Sequence, residues 1–320
     1  MIPAVHDPVE ALRIVKELVR RGALFVVSHS GGKDSQAMLI EVRKLVPDSQ
    51  ILVVHADLGE VEWPGTLEHA AATSKGLPFV VCRAGKDLLG MVKHRGKWPS
   101  PAFRQCTSDL KRGPIEKTIR AYANERGKSL IVEAWGLRAQ ESGSISKGTG
   151  RAGKPVLATP PEKNRASWEW YVWLPIHRMS VEEVWNTIHR AGQKGHWAYG
   201  KGMSRLSCSF CIMSNKSDLA IAALERPDLL AKYEALEKET GHTVFARKVK
   251  GVTVPVPLRE HIGLPPKRRL PVIQPEERPP RNVPVVTAET LTHPEREPRP
   301  RKKGVITADE LVRQALEKYR

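Results

Sequence analysis

Cysteine is scarce in this 320-residue sequence: Cys82, Cys106, Cys208 and Cys211 are its only four. That rules out a disulfide framework, and it leaves metal, cluster or redox roles to whichever thiols are grouped. Long apolar runs are missing too. No stretch of about 18 apolar residues occurs, so no membrane-spanning helix is expected. The opening "MIPAVHDPVEALRIVKELVRRG" lacks the apolar region and small-residue cleavage site of a signal peptide. It reads as an amphipathic helix capped near Asp7, and the expected location is the cytoplasm. Acidic residues are short in number, 35 against 52 Lys and Arg, for a net charge of +17 and a pI near 9.9. Such an excess suits a polyanionic partner, a nucleotide or a nucleic acid, unless part of it is a solvated tail.

What is present is an alternation. Short runs rich in Val and Ile at 24–29, 51–56, 78–82 and 129–135 are separated by helical patterns at about 34–46, 65–75, 85–94 and 114–126. Strands alternating with helices predict an α/β fold, a doubly wound, mostly parallel sheet. In such sheets ligands bind outside the C-terminal strand ends, here 28–35, 55–59 and 136–142. Residues 1–165 form the expected nucleotide-binding domain. Its last part, Ser142–Arg165, is a basic Gly/Ser/Lys/Pro loop that could carry a nucleic-acid backbone. Residues 166–250 are a Trp-rich, CxxC-containing helical part of the same domain, with a helix at 181–191 capped by Ser180. Trp168, Trp170 and Trp173 are either base-stacking groups or core. About half of the 25 prolines fall between 255 and 300. Residues 251–306 therefore read as a disordered linker, and 307–320 as a short helix with Thr307 and Glu310 as a capping box. "VVTAETL" and "VITADEL" are similar enough to be two copies of a docking motif for a protein partner, or similar by chance.

The stretch "VVSHSGGKDSQAML" joins the first strand to the next helix. Glycines at that position let backbone N–H groups approach an anion, and the helix N-terminus adds partial positive charge. Neither the G-x-x-x-x-G-K-[ST] nor the G-x-G-x-x-G pattern is met. Ser30-Gly31-Gly32-Lys33-Asp34-Ser35 instead resembles the pyrophosphate loop (PP-loop) of the adenine nucleotide α-hydrolase superfamily. "GLRAQES" (136–142) and "RQCTSDLKRGPIEK" resemble segments of its phosphoadenosine phosphosulfate (PAPS) reductase-like family, as do "LPIHRMSVEEVW" and "GMSRLSCSFC". The likeness covers about residues 20–240. It implies binding of ATP or a sulfonucleotide by Ser30, Gly31, Gly32, Lys33, Asp34, Ser35, Asp57, Gly59, Gly136 and Arg138, with Mg²⁺. It further implies catalytic roles for Lys33, Asp34, Lys111 and Arg138.

Cys208-Ser-Phe-Cys211 is a CxxC, a pattern shared by thiol redox, zinc and cluster sites. The resemblance places Cys106 where another ligand is often found, which implies a 4Fe–4S cluster on Cys106, Cys208 and Cys211. Zinc is the alternative, with His196 completing a Cys₃His site. Cys82 is read as a buried hydrophobe, with a fourth-ligand role left open. One departure stands out: the Glu-Cys-Gly-x-His motif of true sulfonucleotide reductases is missing, and no Cys follows Cys211. The expected function is thus an ATP pyrophosphatase that adenylates an acceptor, nucleic acid among the candidates, for sulfur transfer. Two alternatives stay open. One is a PAPS or adenylyl-sulfate reductase using a partner's thiol; the other is a non-catalytic nucleotide-binding subunit of a nucleic-acid-modification complex.

Overall fold

The computed structural model describes residues 4–141, 147, 150–164, 168–264 and 306–307. In chain order the elements are α1 (Pro8–Arg20), β1 (Leu24–Ser28), α2 (Lys33–Arg43), β2 (Ile51–Ala56), α3 (Thr66–Thr73), β3 (Pro78–Cys82) and α4 (Leu88–Arg95). Then come α5 (Gln105–Thr107), α6 (Gly113–Glu125), β4 (Leu130–Ala134), β5 (Leu157–Ala158), β6 (Glu169–Trp173) and α7 (Val181–Arg190). Beyond these lie α8 (Lys216–Glu225), α9 (Pro227–Thr240), β7 (Phe245–Val249), β8 (Val252–Val256), α10 (Leu258–Ile262) and β9 (Ile306–Thr307).

The main sheet runs β5-β6-β4-β1-β2-β3-β9, parallel from β6 to β3 with an antiparallel strand at each edge. Its central strands are buried on both faces, which is why they read as continuous apolar runs. The two-residue period sorts them. Phe25, Val27, Val53 and Phe79 join the core under α1, α2, α3 and α7. Leu24, Val26, Leu52, Val54 and Val80 face Ile119, Tyr122 and Ala123 of α6. Each fully buried side chain of this size contributes about 1.5–3 kcal/mol. Ser180 caps α7 in a full capping box with Glu183, and Asp7 caps α1. A third core, built on Trp63, Trp98, Phe210 and Tyr233, packs α4, α8, α9 and α10 beside the C-terminal strand edge.

Of the two readings of the tryptophans the structure takes the core: Trp170 and Trp173 are buried and Trp168 is half-buried on Trp170 and Arg120. Other expectations are corrected. The segment that starts the Trp-rich part is a strand of the main sheet. The basic loop is partly ordered: β5 pairs with β6, and buried Lys163 meets Glu133 and Glu116, each at 2.7 Å. Its residues 142–146, 148–149 and 165 lie outside the described residues. Residues 251–264 are not linker: β7 and β8 form a hairpin and Leu258 is fully buried in α10. The Glu237 carboxylate fastens this stretch by accepting the backbone N–H groups of Val244 and Leu258 at 2.9 and 3.0 Å. Thr307 lies in β9; the rest of the linker and terminal helix, and the "VVTAETL" copy, lie outside the described residues. Among the described residues no helix is long and apolar enough to cross a membrane.

Candidate functional site

β1 stands between β4 and β2, so the connections leave it in opposite directions and a crevice opens at the C-terminal ends of β1 and β4. The loop Ser30–Ser35 fills one side of it. Gly31 has φ +74°, and a Cβ there would lie 2.7 Å from Thr66 Cγ2, so only glycine fits. Gly32 is the N-cap of α2 and offers no side chain, which leaves the helix N-terminus open to an anion. Gly136 lets the loop after β4 close in: a Cβ there would sit 3.3 Å from the Asp34 carbonyl. Ser30 and Ser35 hydroxyls lie 3.2 Å apart, and Ser35 donates to the Gly32 carbonyl at 2.9 Å.

A cavity of about 160 Å³ lies against the loop. Ser30, Asp34, Ser35, Glu141, Arg151 and Arg205 are among its lining residues. Lys33 and Arg138 are not in that lining. Both are buried, and they grip Asp34 from its two oxygens, Lys33 Nζ at 3.1 Å and Arg138 Nε at 2.6 Å. Lys33 Nζ also donates to the Ser204 carbonyl at 3.3 Å. Arg151 is paired with Glu141, whose carboxylate also accepts the Arg138 backbone N–H at 3.1 Å. Around the loop stand four cationic side chains and two carboxylates.

Asp57 and Gly59 belong to a neighbouring depression of about 290 Å³ past the ends of β2 and β3. Asp57 accepts from Gly59 N–H and Arg83 Nε, both at 2.7 Å. These two residues share the strand edge with the loop but not its cavity.

Sequence reasoning missed the groups that hold the loop. Tyr199 Oη accepts the Lys33 backbone N–H at 2.9 Å, and burial pushes its phenol up to about 12. His29 Nδ1 accepts the Gly31 N–H at 3.0 Å, while Nε2 reaches the Thr73 hydroxyl at 3.1 Å. Burial pushes His29 down to about 3, so its ring is neutral. His29 lies beside the motif and Tyr199 far from it, and neither has a spacing signature.

The cysteines divide. Cys106, Cys208 and Cys211 gather at the third core, with Cys208 buried and the other two half-buried. Half-buried Lys111 leaves a five-residue π-helical turn, Ser108–Arg112, to stand among them. Burial works against its charge, but Cys208, Cys211, Glu62 and Cys106 outweigh it and raise its pKa. Burial pushes Cys208 up to about 12 against the pull of Lys111. Cys82 packs elsewhere, among Val54, Val80 and Ile119. His196 is not free for zinc: Nδ1 accepts the Ala198 N–H at 3.2 Å and Nε2 faces the Pro64 carbonyl at 3.2 Å. Among the described residues no three His, Cys, Asp or Glu side chains are laid out around one metal ion. Among the buried donors that lack a hydrogen-bond partner are Tyr233 Oη and Trp98 Nε1. Their rings stack at 4.9 Å, and Tyr233 feels Cys208, Cys211 and Cys106. The CxxC is strapped to the turn after β2. Ser209 N–H donates to the Val61 carbonyl at 2.8 Å, and Arg226 bridges Ser209 Oγ at 3.0 Å and the Glu60 carbonyl at 2.8 Å.

A parallel sheet with a glycine loop opening a helix at its switch point defines an α/β nucleotide-binding domain of the PP-loop kind. The chain belongs to the phosphoadenosine phosphosulfate reductase domain family, whose model matches residues 24–214. It is 29% identical over 186 residues to an uncharacterized 37.8 kDa protein in the gpa 5' region of Escherichia phage 186. That match takes in 55% of this chain and 52% of the phage protein, so the chain spans about half the length of the curated relative it matches. Among solved structures it is similar to phosphoadenylyl-sulfate reductase from Candida auris, with TM-score 0.39, 14% identity, and 64% of this chain and 97% of that one covered. It is also similar to the U34-tRNA thiolase NcsA of Methanococcus maripaludis with its [4Fe-4S] cluster. There the TM-score is 0.32 at 15% identity, over 78% of this chain and 86% of that one.

Proposed function

We propose that the chain is an ATP pyrophosphatase that adenylates an acceptor for sulfur transfer. The carrying observation is the loop cavity, which joins the N-terminus of α2 to cationic side chains and has no thiol among its described lining residues. Phosphates settle on the N-terminus of α2, the Ser30 and Ser35 hydroxyls, Arg151 and Arg205. The acceptor oxygen attacks the α-phosphorus, the bond to the bridging oxygen breaks, and pyrophosphate departs. Lys33 follows the departing charge by exchanging the Ser204 carbonyl for a phosphate oxygen, while Arg138 keeps Asp34 in place. Asp34 and Glu141 are the carboxylates that would hold Mg²⁺, which supplies further charge neutralisation.

The three thiols fit a 4Fe–4S cluster better than a single ion. In a cluster each thiolate takes its own iron, so the sulfurs need not converge on one point. The partnerless Tyr233 hydroxyl and Trp98 indole beside them are the donors that cluster sulfides would satisfy. Cys106, Cys208 and Cys211 would hold such a cluster, and it would supply the sulfur-binding chemistry that the transfer needs. Lys111 balances the negative charge of the thiolates.

The test is to incubate the full chain with ATP and Mg²⁺, and separately with PAPS and a thiol donor. Pyrophosphate from the first, with AMP released as water takes the place of the missing acceptor, and no sulfite from the second, is the expected result. Lys33→Ala should lower AMP release by at least about 100-fold with an unchanged melting temperature. Sulfite release without AMP would establish the reductase reading instead.

A further inference from the structure

Phe103 is 74% exposed, more than any other Phe or Trp among the described residues. It sits in Trp98-Pro99-Ser100-Pro101-Ala102-Phe103-Arg104, a segment built to be stiff. Two prolines fix φ, buried Trp98 anchors one end on Tyr233, and Ser100 and Phe103 close the turn on each other. Ser100 Oγ accepts the Phe103 N–H at 3.1 Å and the Phe103 carbonyl accepts the Ser100 N–H at 3.3 Å. A rigid, solvated phenyl ring is therefore a presented surface and not a frayed core residue.

The ring borders a shallow depression of about 410 Å³ lined by Arg95, Arg104, Gln105 and Ser108. Arg95 and Arg104 make no ion pair among the described residues. The nearby carboxylate of Asp109 accepts from Ser108 Oγ and Gln105 Nε2, both at 2.7 Å; these bonds and the field of Arg95, which is not in ion-pair contact, hold it below the usual carboxylate range. Lys97, one step earlier, is exposed as well. Cys106 lies three residues past the ring. The residues after Leu264 hold 13 of the 52 basic and 8 of the 35 acidic residues, so most of the excess positive charge belongs to residues 1–264.

We propose that this surface docks single-stranded nucleic acid, with an unpaired base stacked on Phe103 and flanking phosphates on Arg95 and Arg104. A solvated π-face that shares a depression with two guanidinium groups outside any ion pair is the complement of a base carried on phosphates. An acidic polypeptide would use the arginines but not the ring, and an apolar helix would use the ring but not the arginines. As the acceptor site for adenylation this rests on the reading above. As a binding site it stands by itself.

The test is fluorescence anisotropy of the full chain with 5'-labelled single-stranded DNA and RNA 12-mers, with duplex DNA, AMP and poly-glutamate as competitors. Phe103→Ala should weaken binding of the single strand about tenfold, the usual worth of one stacked base. The double variant Arg95→Ala/Arg104→Ala should flatten the slope of log K against log salt by about 1 to 1.5. Both variants should melt with the wild-type chain. Binding unchanged by Phe103→Ala, no binding of single strands, or equal competition by AMP, duplex or poly-glutamate would each overturn the proposal. ATP turnover is read on the same samples. Loss of the adenylation reading with a Phe103-dependent affinity leaves this surface intact, and intact turnover without such affinity removes it.

Discussion

Tyr199 Oη takes the backbone N–H of Lys33 at 2.9 Å, across 166 positions of sequence. The phenol thereby sets where helix α2 begins, and its ring is held edge-on to Trp185 at 4.9 Å. Tyr199→Phe keeps the ring and removes the acceptor. A buried N–H left without a partner costs about 1–3 kcal/mol. The expected result is an ATP affinity reduced about tenfold by calorimetry, with the melting temperature lowered by only a few degrees. Unchanged affinity would show that the loop holds its shape without Tyr199.

The thiols should act as a set. Anaerobically purified Cys106→Ala, Cys208→Ala and Cys211→Ala should each lose bound iron and sulfide, and Cys82→Ala should keep them. The loss should be cooperative, since metal retention and local order are linked. Tyr233→Phe should retain the iron but shift the reduction potential downward, because a hydrogen bond to sulfur stabilises the more negative state. Full iron retention in Cys106→Ala would break the set.

Acid should weaken the loop's underside before the rest of the fold. Burial holds His29 near 3 and His69 near 4, while unfolded histidines titrate near 6.5. The unfolded chain therefore binds protons that the folded chain refuses. This part of the stability is complete above about pH 6.5 and is lost as the pH falls toward 4 and then 3. His55 works in the opposite sense: burial lowers its pKa, but Glu62 outweighs that and raises it. His29→Asn, which retains an acceptor for Gly31, should flatten the fall in unfolding free energy between pH 6.5 and 4 by up to about 1.4 kcal/mol per pH unit. Urea unfolding at pH 7, 6 and 5 reads this. An unaltered slope would assign the acid sensitivity elsewhere.

Shortening the chain should be tolerated at 264 and not at 250. Leu258 is fully buried and Val256 nearly so, and Glu237 is held by N–H groups on both sides of the hairpin. Removing 251–264 exposes that apolar surface and strips a buried carboxylate of a donor, a loss of about 3 kcal/mol or more. Equal urea midpoints for the two truncations would contradict this.

Much of the scaffold was legible in the sequence. Val-rich runs gave β1 to β4 within a residue or so, since strands buried on both faces leave no choice of residue type. Ser180 announced the start of α7, because a cap is local. The SGGKDS loop was legible for the same reason: its requirements are satisfied within six residues. What was hidden is pairwise and distant. Lys163 looked like one more lysine in a polar loop, yet it is buried between Glu133 and Glu116. Asp57 carried no sign that Arg83 would occupy it, nor His196 that its ring would cap a turn. The hairpin at 245–256 was overlooked because the prolines from 255 onward suggested a linker, whereas Pro255 sits in a two-stranded ribbon with edges on both sides.

The strap that joins Ser209 to Val61 and Arg226 to Glu60 has a mechanical consequence. The turn after β2 and the CxxC are bolted to the same frame, so thiols and strand edge move as one piece. Under the proposed reaction the traffic falls to the molecule being modified, which has to be long enough, or pliant enough, to present the same atom at both stops.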